Sequence, residues 1–268
     1  MNAESHFNLT REDSIAWLTM NRPEKRNTMG MAFFQQLADT TAALDADPQV
    51  RVIVLNAEGK SFTAGTDLAE AGDLLAGTAA DQREFTRTQI LKLQNSISAL
   101  ERCRKPVIAA IHSHCIGGGI DLISACDIRI ATRDAVFSVR ETRMGIIADL
   151  GTLQRLPAII GQGWFNELAL TGRDFGAEEA LAMGLVTRLC DDRKALEDTA
   201  RELAARIAAC PPLTVQGTKE VILYNRDHGL DAGLRYVAQK NAAALPSEDL
   251  VEAVSAFMEK REPVFKGK

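Results

Sequence analysis

Three acids stand in surroundings where a carboxylate is an unusual neighbour. Asp121 opens the apolar run that follows the glycines of "HCIGGGIDLISACD" (114–127), and Glu141 comes just after "AVFSV" (135–139). Asp149 lies in "GIIADLGTLQRL" (145–156), with Ile146, Ile147 and Ala148 before it and Leu150, Gly151 and Leu153 after it. A carboxylate taken out of water without a partner costs several kcal/mol or gives up its charge. Acids tuned in this way can pass protons near neutral pH. Each also has a plain structural reading. Asp121 compensates a helix dipole, Asp149 caps the helix beginning at "GTLQRL", and Glu141 in "VRETR" joins a surface ion pair.

Two glycine-bearing stretches could supply the complementary chemistry. "SFTAGTDL" (61–68) directly follows a strand, and Gly65 permits a sharp turn that leaves the N–H of Thr66 pointing outward. Gly117, Gly118 and Gly119 lead into an apolar helix, where free N–H groups and the helix dipole favour negative charge. Two donors from separate loops could make an oxyanion hole for a carbonyl oxygen. Either stretch alone reads equally well as a turn or a place of close packing.

The elements that must hold these groups alternate in type. "SIAWLTMNR" reads as a strand stopped by Pro23, and residues 30–47 as a helix placing Phe34, Leu37 and Leu44 on one side, ended by "DADP". "RVIVLNA" (51–57) is a buried strand. A helix over 82–101 turns Phe85, Ile90, Leu93, Ile97 and Leu100 inward. "KPVIAAIHS" (105–113), "DIRIAT" and "AVFSV" supply further strands. Strand–helix alternation gives an α/β class. From about 192 the pattern is helical to Met258. The chain therefore divides into an α/β body (1–191) and a helical region (192–268), integrated with no clean linker or short repeat.

Composition narrows the function. A formal net charge of −5 offers no basic field for nucleic acid or an anionic membrane surface. Five cysteines without CxxC spacing read as free thiols in a reducing compartment, with the cytoplasm as default. The start, "MNAESHFNLT", carries no apolar signal segment, and "FKGK" carries no SKL-type address. "HSHC" (112–115) is no metal site in this reading, because alternating strand side chains keep His112 and Cys115 from joining His114. Phe33, Phe34, Trp164 and Phe165 read as packing.

Taken together, "MNRPEKRNTM", "SFTAGTDL", "GGGIDLISACDIRIAT", "GTLQRLPAIIG", "ALTGRDFGAEEALAMGLV" and "AFMEKREPVF" resemble the crotonase (enoyl-CoA hydratase/isomerase) superfamily over nearly the whole chain. The resemblance implies a spiral of ββα turns, with C-terminal helices that build trimers or dimers of trimers. It implies an acyl-CoA thioester substrate, coenzyme A belonging to that substrate, and no other cofactor. By motif position, the N–H groups of Thr66 and Gly118 form the oxyanion hole. Lys25 and Arg26 lie near the CoA nucleotide, and Ala64, Asp67 and Leu68 lie where the backbone meets adenine.

Within the superfamily the acids separate the activities. Hydratases have glutamates at the positions of Asp121 and Glu141, which hold one water, and a small residue at that of Asp149. Asp121, Glu141 and Asp149 together resemble the Δ3,5-Δ2,4-dienoyl-CoA isomerases instead. The expected reaction moves a 3,5-diene to a 2,4-diene through a dienolate. Glu141 is expected at C2 and Asp149 at C6, the reverse order remaining open, with Asp121 spreading their pKa values and Ile146–Ile147 as an apolar wall. The alternatives are 2-enoyl-CoA hydration, another activity of the superfamily, and a non-catalytic scaffold.

Overall fold

The computed structural model describes residues 5–70 and 79–268, so the first four residues of "MNAESHFNLT" lie outside it. In chain order the elements are β1 (Phe7–Glu12), β2 (Ile15–Met20), α1 (Met31–Ala46), β3 (Val52–Ala57), α2 (Ala80–Arg102), β4 (Val107–Ile111), β5 (His114–Ile116) and α3 (Gly118–Ser124). There follow β6 (Ile128–Thr132), β7 (Val136–Ser138), α4 (Thr152–Ile160), α5 (Gln162–Thr171), β8 (Asp174–Gly176), α6 (Ala177–Ala182) and β9 (Leu189–Cys190). The helices α7 (Arg193–Ala208), α8 (Pro212–His228), α9 (Leu230–Ala244) and α10 (Glu248–Glu259) complete the chain.

The apolar runs form the strands expected of them, in a six-stranded sheet of order β1-β2-β3-β4-β6-β9. Only the β1–β2 hairpin is antiparallel; the other neighbours run parallel, with Ile15 opposite Val52 and Ile53 opposite Val107. Parallel strands need both faces covered, and the alternation of side chains shows how. Leu18, Ile53, Leu55, Ala109 and Ile111 face a core shared with α1, α2 and α3. Trp17, Val52, Val54, Ile108 and Ala110 face the other way, onto Leu196, Ala200, Ala204 and Ala208 of α7. Four small or medium residues at a spacing of four let α7 lie close on the sheet. The first helix of the C-terminal region is thus part of the α/β core.

After each long strand the chain steps into a smaller second layer before it turns. β2 leads to Met29, which bridges Thr66; β3 leads to Thr63, which bridges Cys115. β4 leads to β5, β6 leads to β7, and β5, β7 and β8 pair with one another. This is the ββα spiral. It is invisible as a sequence repeat because two of its second-layer pieces are isolated bridges and its turns end in different helices. Thr66, Gly118 and Glu141 all stand where a second-layer piece gives way to the next segment.

Several expectations need correction. Phe85 is exposed and Ile90 half-buried, so only the C-terminal half of α2, from Leu93 to Leu100, enters the core. Phe33 and Phe34 are buried with their rings edge to face, but Trp164 lies outward, 40% exposed. All five cysteines are free. Among the described residues no helix is long and apolar enough to cross a membrane.

Helix α8 is tied to the body through one buried cation. Lys219, 7% exposed, donates to the carbonyls of Leu100 and Lys105 and to Asp127 Oδ2, at 3.2, 3.1 and 2.7 Å. Lys219→Met leaves three acceptors without their donor, so stability should fall by roughly 1–3 kcal/mol in urea unfolding. An unchanged midpoint would show the anchor to be idle.

Candidate active site

Two backbone donors meet where the second layer passes into α3. The N–H groups on either side of Thr66 are committed: Gly65 N–H donates to Thr63 Oγ1, and Asp67 N–H to the Met29 carbonyl. On the other strand, Gly117 N–H donates to Ser138 O and Ile120 N–H to Gly117 O. The N–H groups of Thr66 and Gly118 have no acceptor among the described residues. Their approach is close. A Cβ at position 118 would lie 3.5 Å from Thr66 N and 2.7 Å from Thr66 Oγ1, and one at position 65 would lie 3.5 Å from Gly118 N and 2.6 Å from Ile116 O. Gly65 also holds a φ of +94°. Only glycine at these two positions lets the two segments approach so closely.

The three acids gather at the same end of the spiral. Asp121, in the first turn of α3, is 1% exposed, and its Oδ1 accepts the N–H of Thr152 at 2.6 Å. Burial, then the charge of Glu141, and in smaller part that of Asp149, push its carboxyl up to about 7. Glu141 begins the short 3-10 turn Glu141–Met144. Its Oε2 is enclosed without a hydrogen-bond partner, and its Oε1 would lie 3.5 Å from a Cβ at Gly117. Burial raises its pKa, and the neighbouring charge of Asp149 adds to the effect. Burial also raises Asp149.

The plain structural readings of these acids fail in two cases and move in the third. Glu141 makes no ion pair among the described residues; it is Arg140 beside it that pairs, with Asp174. Asp149 is not the cap of α4. Gly151 occupies the N-cap position, and the orphan N–H of Thr152 is satisfied by Asp121 from α3. Asp121 thus caps a helix other than its own. The apolar wall is also displaced from its expected place. Ile146 and Ile147 are 41% and 78% exposed, whereas Ala148 and Leu150, flanking the acid, are buried.

A third cluster lies beside the donors. The turn Pro23–Lys25 is followed by Arg26 and Asn27 in the left-handed region. Buried Asn27 fixes it, accepting from Arg22 N–H through Oδ1 and donating through Nδ2 to the carbonyls of Glu58 and Ser61. The loop is then zipped to the segment that carries Thr66: Ala64 N–H donates to Arg26 O, Thr63 Oγ1 to Asn27 O, and Met29 N–H to Gly65 O. Lys25 and Arg26 are exposed and have no acidic partner among the described residues. Asp67 Oδ2 accepts from Thr28 Oγ1 and its Oδ1 from Ala69 N–H, while Leu68 is 48% exposed.

The "HSHC" side chains serve other ends. His112 Nε2 meets Gly59 O at 3.1 Å, whereas exposed His114 pairs through Nδ1 with Ser113 Oγ. No group of three His, Cys, Asp or Glu that could hold a metal occurs among the described residues. Sequence reasoning missed Met29, whose two backbone bonds fix the Thr66 strand, and Gln94, whose Nε2 donates to the Asp149 carbonyl at 2.6 Å. Neither residue type carries a chemical signal; only the fold brings them here.

Comparison with known proteins follows the same lines. The enoyl-CoA hydratase/isomerase family model matches residues 10–268. The mitochondrial Δ3,5-Δ2,4-dienoyl-CoA isomerase of Mus musculus is 43% identical over 266 residues, 97% of this chain and 81% of that protein. The peroxisomal Δ3,5-Δ2,4-dienoyl-CoA isomerase of Arabidopsis thaliana is 44% identical over 259 residues, 95% of this chain and 93% of that protein. Among solved structures, an enoyl-CoA hydratase from Bacillus anthracis superposes with a TM-score of 0.91 at 32% identity, covering 98% of this chain and all of that one.

The raised pKa of Asp121 fixes the sign of a pH effect. Below about pH 4 the group is protonated in both folded and unfolded chains. As pH rises to about 7, the unfolded chain ionises while the folded one does not, so stability is lost across that window. Asp121→Asn keeps an oxygen for Thr152 and cannot ionise. The variant should therefore gain stability over the parent, by a few kcal/mol in order of magnitude, at pH 8 and much less at pH 4. Thermal unfolding at the two pH values checks this; an equal offset at both would contradict it.

Proposed function

The chain belongs to the enoyl-CoA hydratase/isomerase family, and we propose that it is an acyl-CoA isomerase that converts a 3,5-dienoyl-CoA to a 2,4-dienoyl-CoA. The observation that carries this reading is the third acid. Asp149 shares an electrostatic neighbourhood with Asp121 and Glu141, beside two N–H donors that have no acceptor among the described residues. The identity of 43–44% to two proteins named for that activity supports it further.

The thioester oxygen is held by the N–H groups of Thr66 and Gly118. These bonds tighten as charge from the dienolate reaches the oxygen, each such donor contributing about 3–4 kcal/mol at the transition state. The shift removes a proton at C2 and adds one at C6, too far apart for one carboxyl to serve easily. Glu141 and Asp149 divide the work. One starts ionised and the other protonated. Glu141, whose Oε1 would lie 3.5 Å from a Cβ at Gly117 next to the oxyanion donors, takes the proton from C2, and Asp149 gives one to C6. Asp121, pushed up to about 7 by burial and by the charges of Glu141 and Asp149, is the electrostatic partner of the pair.

Hydration fits less well. A water clamp needs free oxygens on both Asp121 and Glu141, and one oxygen of Asp121 is committed to Thr152 at 2.6 Å. Lys25 and Arg26 offer unpaired cations to the CoA phosphates, and Ala64, Asp67 and Leu68 line the path to adenine. No cofactor beyond the coenzyme A of the substrate is needed. A homo-oligomer, trimeric or a dimer of trimers, is part of the reading, supported by exposed Leu230, Val251, Phe257 and Met258 in the C-terminal helices. Five free thiols support a reducing, cytoplasmic setting, although the two relatives are by name mitochondrial and peroxisomal.

Ultraviolet absorbance separates the activities. A 3,5-dienoyl-CoA should gain a conjugated-diene band, and crotonyl-CoA should lose little of its enoyl chromophore; rapid loss of the latter with no diene shift would establish hydration. Asp149→Asn and Glu141→Gln should each lower the diene shift by about 10²–10⁴-fold, with folding intact. In deuterium oxide, Asp149→Asn should still wash out the C2 proton of the 3,5-diene, and Glu141→Gln should not. The opposite pattern would move Asp149 to C2.

A further inference from the structure

Asp149 differs from the other two acids in what holds it. Asp121 is carried by α3 and Glu141 by a 3-10 turn, but Asp149 lies in the irregular segment between that turn and α4. Ile146 N–H still donates to Glu141 O, and the next backbone–backbone bonds run from Gln154 and Arg155 back to Gly151 O. Residues 147–150 make none among the described residues. The backbone that carries the acid is held by side chains instead. Gln94 Nε2 donates to Asp149 O at 2.6 Å. Arg155 Nη1 donates to Leu150 O at 3.3 Å, and its Nη2 is pinned to Ser98 Oγ at 2.8 Å. Gln94 and Ser98 are one turn apart on α2, so one helix face holds both carbonyls.

We propose that Gln94 is a positioning residue for Asp149, whose side-chain amide, donated from α2 to the Asp149 carbonyl, sets the reach of the carboxyl to the reacting carbon. This rests on the reading of Asp149 as a proton-transfer group. Behind the bond lies a cavity of about 350 Å³ lined by Gln94, Ser98, Glu101, Gln154, Arg155 and Arg226, among others. A polar space of that size can admit water. Without the amide, the Asp149 carbonyl is free to take a water from the cavity, and among the described residues no other hydrogen bond from a neighbour holds that residue in register. A displacement of about 1 Å at a reacting group can cost on the order of 10²-fold in rate.

The test uses Gln94→Met, which keeps length and volume and removes the donor. With a 3,5-dienoyl-CoA, kcat should fall by about 10–100-fold and KM should stay within about threefold, because orientation and not binding is lost. The carboxyl titration of Asp149, read by carbon-13 NMR and assigned with Asp149→Asn, should move down toward the ordinary aspartate range as water reaches the loosened segment. Gln154→Ala, an exposed position on the same cavity with no bond to residues 147–150, should leave both readings unchanged. An unaltered kcat and titration in Gln94→Met, or equal losses in Gln154→Ala, would overturn the proposal. If the parent protein shifts no diene at all, the functional reading fails, and the titration alone decides: a midpoint unmoved by Gln94→Met refutes the positioning role and a lowered one sustains it.

Discussion

The hydrogen bond from Thr152 N–H to Asp121 Oδ1 is the contact on which the arrangement of the acids depends. It joins the start of α3, where the Gly118 N–H has no acceptor among the described residues, to the start of α4, which follows Asp149. A helix N-terminus must satisfy its free N–H groups, and the glycine at the cap position of α4 has no side chain to do so. By bonding across space, Asp121 sets the distance between two helices and brings its own carboxyl among the other acids. A cap of the ordinary local kind would have stabilised α4 equally well and fixed nothing else.

The spiral explains why the donors and acids share one end. Each turn runs through the large sheet, then through the second layer, and releases the chain at a similar height. Thr66, Gly118 and Glu141 are the release points of successive turns. Parallel pairing in the second layer, as between Thr63 and Cys115, keeps those points in register. The chemistry therefore needs no long-range coincidence. It needs glycine where two turns touch, at 65 and 118, and acids in the segments that leave them.

Much of this was legible in the sequence. The strands through Ile53 and Ile108 announce themselves as apolar runs, and the glycines before Asp121 mark a helix start open to a ligand. The acids could be singled out because charge among apolar residues is costly. The rest depends on partners distant in the chain. Nothing in "GIIADLGTLQRL" says that its helix will be capped from residue 121, so Asp149 reads naturally as the cap. Nothing there says that Ile146 and Ile147 point outward while Ala148 and Leu150 point in, because the segment is irregular and has no period to read. Gln94 sits on a helix whose inner stripe predicts only packing.

Buried or half-buried acids elsewhere in the chain sharpen the contrast. Asp249, 5% exposed, has its two oxygens satisfied by the N–H groups of Lys266 and Gly267. Burial works to raise Glu101 as it does the site acids, but Arg155 and Arg226 outweigh it and hold the carboxyl below its usual range. Those acids have partners for their oxygens and serve the structure. At the site the balance is reversed: among the described residues Asp121 has one backbone donor, Glu141 keeps an oxygen with no partner, and no cation neutralises either. A core evolved for stability alone would replace such groups with apolar ones or supply their partners. Carboxyls held close together without cations stay near the point of exchanging protons, which is what moving a double-bond system along an acyl chain requires.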